Sequence, residues 1–193
     1  TVLGNNWRQK YVVWDAAAGS KNLTRDYNDW VDLYSSTLFE SELEIGSRYN
    51  PESTAFQYDF LNDDMDISKN SVGSKLEAVA PGLLSALKND LPIVFFMNPP
   101  YATSGNTVGK DSKNGVSATK VNKAMKKDKM GNASEILYVQ FFYRVIRLKQ
   151  TFNLTHAVIA FFSKSQYMAG GQYFKPFSTK LFSNFNYETG FLF

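Results

Sequence analysis

The tetrad Asn98-Pro99-Pro100-Tyr101 follows directly on an apolar run, Val94-Phe95-Phe96-Met97. Proline has no N–H to give to a ladder and fixes its own φ, so a strand arriving there is stopped at once. What remains is a rigid shelf carrying a side-chain amide, bare backbone carbonyls and a flat ring. These groups suit a planar molecule with an amino group. The plain alternative is a strand that ends in a Pro-Pro turn.

Two other segments end apolar runs in an unusual way. Asp15-Ala16-Ala17-Ala18-Gly19-Ser20 follows Tyr11-Val12-Val13-Trp14, and Asp59-Phe60 closes the run that starts at Thr54. Gly19 lets backbone approach a ligand closely.

Charge supplies a further clue. The net charge is only +3, yet Lys110, Lys113, Lys120, Lys123, Lys126, Lys127 and Lys129 crowd one segment against Asp111 and Asp128. Residues 102–132 read as a basic loop insertion. Such a loop is either a solvated flexible spacer or a phosphate-contacting element in which Lys123, Lys126 and Lys127 position nucleic acid without reading its sequence.

The elements that must position these groups follow from pattern. Tyr11–Trp14, Val31–Leu38, Thr54–Phe60, Pro92–Met97 and Thr155–Phe162 read as strands, with a sixth over Tyr187–Phe193. Helices are expected near Asn22, a good N-cap, and over Phe39–Tyr49, Leu76–Leu87, Ser134–Thr151 and Gln172–Phe185. Pro81-Gly82 is placed to split the third of these. Strands alternating with helices imply right-handed crossovers and an α/β fold: a mainly parallel sheet with helices on both faces. In such sheets ligands bind beyond the carboxyl ends of the strands, where strand order reverses. Asp15, Asp59 and Asn98 all fall on that edge.

A chain of 193 residues, 44% hydrophobic and 20% charged, suits a single domain spanning 1–193. The lack of cysteine excludes disulfides and thiolate metal sites and fits a reducing, cytoplasmic setting. No apolar stretch is long enough to cross a bilayer, so no membrane partner is expected. No His, Cys or carboxylate cluster has ligand spacing, so no metal is expected, and His156 reads as structural. The chain starts at Thr1 without methionine and stops at Phe193 inside an apolar run, which reads as an excerpt whose sheet lacks its last strand.

With those turns in place, the chain resembles the N6-adenine DNA methyltransferases, in particular the N-6 DNA methylases of restriction–modification systems. The resemblance covers most of its length. Asn98-Pro99-Pro100-Tyr101 is similar to their catalytic tetrad. The segment from Asp15 to Thr24 resembles their cofactor loop, Asp-Pro-Ala-x-Gly-x-Gly-x-Phe-Leu, and Asp59-Phe60-Leu61 resembles the segment that holds the cofactor's adenine. The resemblance implies a Rossmann-like methyltransferase fold and S-adenosyl-L-methionine as methyl donor. The expected acceptor is an adenine flipped out of double-stranded DNA, selected by a target-recognition domain or subunit outside this chain.

In the roles it implies, Asn98 and the Pro99 carbonyl accept the amino N–H bonds, Pro100 keeps them aimed and Tyr101 stacks. Asp15, Ala17, Gly19, Asn22, Thr37, Asp59 and Phe60 form the cofactor half, with Asp59 accepting from the cofactor's adenine amino group and Phe60 packing on that ring; the plain alternatives are a turn cap at Asp59 and core at Phe60. Two residues depart from the pattern. Lys21 replaces the second loop glycine, where a side chain could crowd the cofactor. Thr37 stands where an acid usually grips the ribose hydroxyls, with Glu40 and Glu42 on the helix that follows as possible substitutes. The tetrad also fits protein-glutamine or RNA amino-group methylation. The two departures admit a scaffold that binds DNA without turnover.

Overall fold

The computed structural model describes residues 3–101, 119–169 and 171–191. Residues 102–118 of the expected basic insertion, with Lys110 and Lys113, lie outside them, as do Leu192 and Phe193 of the expected sixth strand. Five strands form one all-parallel sheet: β1 (Val12–Asp15), β2 (Asp32–Thr37), β3 (Thr54–Gln57), β4 (Ile93–Met97) and β5 (Ala157–Phe161). Their order is β3-β2-β1-β4-β5. The chain therefore runs outward from β1 to β3, then crosses back past β1 to begin β4. That reversal is the switch point of a doubly wound sheet, and it lies between β1 and β4, where Trp14 pairs with Phe95.

The helices are α1 (Glu40–Gly46), α2 (Lys75–Val79), α3 (Pro81–Lys88), α4 (Lys120–Lys127), α5 (Leu137–Phe152) and α6 (Lys175–Phe182). Their ends follow local chemistry. Ser74 accepts from the Glu77 N–H and caps α2, while the Glu77 carboxylate returns to the Gly73 N–H, a reciprocal cap. Pro81 ends α2 and opens α3 as a first-turn proline, which is the split the sequence suggests. The α5 helix stops where Asn153 turns left-handed, at φ 55°.

Helices α3 to α6 pack on one face of the sheet. Val12, Trp14, Ile93, Phe95 and Met97 share one core with Leu83 and Leu87 of α3, Met125 of α4, Phe141 and Val145 of α5 and Phe177 of α6. On the other face Val13, Leu33 and Val94 are closed by Leu3, Trp7, Tyr11 and Trp30, none of them in an α-helix. The helix expected near Asn22 is absent. Asn22 is a good cap, but Thr24, Asp26, Asn28 and Asp29 behind it favour turns. Lys21 and Asp29 take left-handed φ of 63° and 61° instead.

Two further expectations change. Lys120–Lys127 is not loop but helix, seated through Val121 and Met125, both fully buried. Residues 187–191 belong to no strand, so the described part of the expected sixth strand is irregular and β5 lies at the sheet edge.

Candidate active site

The switch point brings Asp15 and Asn98 to neighbouring strand ends. Asp15 closes β1, and β4 closes at Met97, one residue before Asn98. On the other side Asp15 pairs with Ser35 of β2, and β2 ends at Thr37. Asp59 lies two positions beyond the end of β3. The three strand-end segments read from the sequence thus share one edge of the sheet.

On the shelf, Pro99 is buried while Asn98, Pro100 and Tyr101 are exposed. Pro99 anchors the turn in the protein, and the polar groups around it face outward. The Tyr101 hydroxyl donates to the Asn98 side-chain oxygen at 2.9 Å. The Tyr101 ring lies 6.1 Å from that of Tyr138, in the first turn of α5.

Asp15 is 1% exposed. Its Oδ1 accepts from the Ala17 N–H at 3.2 Å, and its Oδ2 is buried without a partner. Burial pushes its pKa up to about 7 against the pull of the Ala17 N–H. The Ser35 hydroxyl, on the residue paired with Asp15, is likewise buried and unpartnered. A buried carboxylate oxygen with nothing to accept from is costly unless a donor arrives, and an ammonium is such a donor.

Lys21 does not crowd this loop. Its backbone takes the left-handed φ that a glycine would adopt, and its side chain crosses Gly46, where a Cβ would stand 3.3 Å from Lys21 Cγ. The ammonium donates to the Tyr49 carbonyl at 2.8 Å and to the Ser53 hydroxyl at 3.0 Å. Burial lowers its pKa. Asn22 points the other way, exposed and accepting from Arg25 Nη1 at 3.0 Å, so it is not gathered into the site.

At the end of β2 the Thr37 hydroxyl donates to a Glu42 carboxylate oxygen, and a Cβ on Gly19 would stand 3.7 Å from the other oxygen. Glu42 of α1 therefore brings a half-buried carboxylate between Thr37 and Gly19. Glu40 is exposed. Leu38 and Phe39 stand beside Thr37 with 49% and 60% of their surface exposed. The sequence reading singled out neither of these two. The available signal was two bulky apolar residues directly after a strand end, where a fully packed turn has no need of them.

Asp59 caps its own turn: its carboxylate accepts from the Leu61 N–H at 3.0 Å and from Asn62 Nδ2 at 2.7 Å. Phe60 is core. It is 2% exposed, edge-on to Trp14 and stacked on Phe141 with centroids 5.3 Å apart. The expectation that its ring packs on a ligand is corrected for that reason, since no face is left.

Of the three lysines, Lys123 and Lys127 are exposed on α4, whereas Lys126 is paired with Glu135 at 2.7 Å. Two cavities among the described residues lie away from Asp15 and Asp59. One, of about 790 Å³, runs along β5 and touches only Tyr101 of the shelf. The other, of about 560 Å³, is polar and lies between Asn28–Tyr34 and Asn50–Thr54. Among the described residues, no helix is long and apolar enough to cross a membrane, and no three His, Cys, Asp or Glu side chains gather as a metal site.

Comparison of the chain with protein-family models, curated proteins and solved structures returns no match. The sheet order is that of a Rossmann-like doubly wound fold; what the site does rests on its own chemistry.

Proposed function

We propose that the protein is an S-adenosyl-L-methionine-dependent methyltransferase acting on the amino group of adenine in DNA. The observation that carries the proposal is the pairing of β1 with β4. It sets an orphaned carboxylate and an Asn-Pro-Pro-Tyr shelf side by side at the switch point.

The donor set fits the methyl donor in part. Asp15 Oδ2 suits its ammonium, and Glu42, held by Thr37, suits the ribose hydroxyls in place of the strand-end acid. Leu38 and Phe39 offer the apolar surface that Phe60 does not. When bound, the donor supplies an electrophilic methyl on a sulfonium sulfur.

The rest of the chemistry belongs to the chain. An exocyclic amine on adenine is a poor nucleophile because its lone pair is delocalised into the ring. Asn98 Oδ1 and the Pro99 carbonyl accept its two N–H bonds and draw the nitrogen toward tetrahedral geometry, which localises the lone pair. Pro99 and Pro100 hold both acceptors in place, so little reorganisation accompanies reaction. Tyr101 stacks on the base, and no strong general base is required. Lys123 and Lys127, exposed on α4, meet phosphates. The turn of Lys21 away from the loop favours a working cofactor half over a degenerate scaffold.

The test is calorimetric titration with S-adenosyl-L-methionine, followed by transfer of labelled methyl to DNA, RNA or protein. Binding together with label in DNA, lost in Asn98→Ala, is the expected result. A folded protein that takes up no ligand at millimolar concentration overturns the proposal. Label found only in RNA or protein moves the acceptor but keeps the chemistry.

A further inference from the structure

A buried cation with no ion pair among the described residues stands on the helix that joins the two halves of this site. Arg144 of α5 is 2% exposed. Its Nη2 donates to the carbonyls of Asp63 and Asp64 at 3.0 and 2.9 Å, and its Nη1 lies 2.9 Å from the Met65 sulfur. Its Nε is buried without a partner, and no carboxylate stands within ion-pair distance among the described residues. Burial lowers its pKa against the opposing pull of the Tyr58 phenol and of the Asp64 charge, which lies beyond ion-pair distance. An arginine so placed is a poor way to stabilise a core, because an apolar side chain of similar volume often does as well or better.

What the guanidinium fixes is a backbone. Asp63 and Asp64 close the turn that begins at Asp59. The Asp63 N–H donates to the Asp59 carbonyl at 2.7 Å, and the Asp59 N–H to the Asp63 carboxylate at 2.8 Å. A second arm from α5 reaches the same turn. Gln140 accepts from the Thr119 hydroxyl at 2.6 Å, and Thr119 caps α4. The first N–H groups of α4 then donate to the Asn62 side chain, 2.8 Å from Lys120 N, and to the Leu61 carbonyl, 3.2 Å from Val121 N. The same helix carries Phe141 on Phe60 and, one turn earlier, Tyr138 beside Tyr101.

We propose that Arg144 is a positioning residue: with Gln140 it clamps the Asp59–Asp64 turn to α5 and so sets the cofactor edge of the site in register with the Asn98–Tyr101 shelf. The clamp is a property of the fold, and only its ligand consequence rests on the function proposed above. Hydrogen exchange of the 59–65 amides and S-adenosyl-L-methionine titration are compared in wild type, Arg144→Met and Arg144→Lys.

In Arg144→Met the core is refilled, so unfolding temperature stays near wild type. Exchange over 59–65 quickens selectively, and the ligand binds about tenfold more weakly. Arg144→Lys, which keeps the charge and one arm of the fork, restores part of both. Unchanged exchange over 59–65 in a folded Arg144→Met overturns the clamp, and so does loosening spread evenly over the protein. If Arg144→Met does not fold, Arg144→Lys decides: wild-type exchange over 59–65 overturns the clamp and selective loosening supports it. Failure of the wild type to bind the ligand overturns the functional proposal alone, because exchange still decides the clamp.

Discussion

The Tyr101 hydroxyl donates to Asn98 Oδ1 at 2.9 Å, so the oxygen best placed to accept an amino group already holds a donor of this chain. The phenol occupies the position of the amine it is proposed to admit. An arriving base has to share that oxygen or turn Tyr101 aside, and turning it aside also lifts its ring from Tyr138.

Removing only the hydroxyl should therefore ease binding. Tyr101→Phe keeps the stacking ring and frees Asn98, and a net hydrogen bond is worth about 0.5–1.5 kcal/mol, or roughly two- to tenfold in affinity. Fluorescence titration with DNA carrying 2-aminopurine at the target position reads the change. Tyr101→Ala should bind more weakly than either.

Asp15 links function to pH. Its ordinary pKa of 3.8 rises to about 7 in the folded, ligand-free protein. The folded state therefore holds this proton more tightly than the unfolded one. The stability contributed by that proton is complete below pH 3.8 and lost as pH climbs through 7. Asp15→Asn removes the loss, so its unfolding temperature should exceed wild type by a margin that widens from pH 5 to pH 8. The same variant should fail to bind S-adenosyl-L-methionine, and wild-type affinity should rise between pH 6 and pH 8 as the carboxylate ionises.

Glu42 and Glu40 offer an internal comparison. Glu42 is held by Thr37 beside Gly19, while Glu40 stands in solvent. Glu42→Gln should weaken cofactor binding about tenfold or more, the worth of a hydrogen bond to a charged group. Glu40→Gln should leave it within twofold, both read by calorimetry.

Lys21 should matter to stability and little to the ligand. Lys21→Met keeps the left-handed strain and leaves the Tyr49 carbonyl and Ser53 without their donor, at a cost of about 1–2 kcal/mol. Thermal unfolding should fall by about 3–6 °C, with cofactor affinity close to wild type.

For DNA, neutralising Lys123 and Lys127 together should reduce the slope of log affinity against log salt by about 2. Lys126→Gln should change it less, because Glu135 already holds that ammonium.

The strands were legible because runs such as Ile93–Met97 are apolar throughout and end in residues that cannot extend a ladder. The break at Pro81 was legible for the same reason. The α4 helix was not, since seven lysines in and around it dominate the reading and only Val121 and Met125, four apart, mark a buried side. The candidate site was legible where it depends on backbone chemistry, at Asn98-Pro99-Pro100 and Gly19. It was less so where tertiary packing decides. Whether Phe60 faces core or ligand depends on Phe141, eighty-one positions later, and the direction of Lys21 depends on carbonyls contributed by another loop.

The pairing of β1 with β4 also governs how the protein assembles. The first three strands are near neighbours in the chain and can associate as soon as residue 57 is available. The central pair joins residues roughly eighty positions apart, which makes it one of the slower contacts to form. Asp15 and Asn98 meet only across that pair. The proposed site is therefore completed late in folding, and an amino-terminal fragment ending before β4 has the loop of Asp15 and nothing to face it.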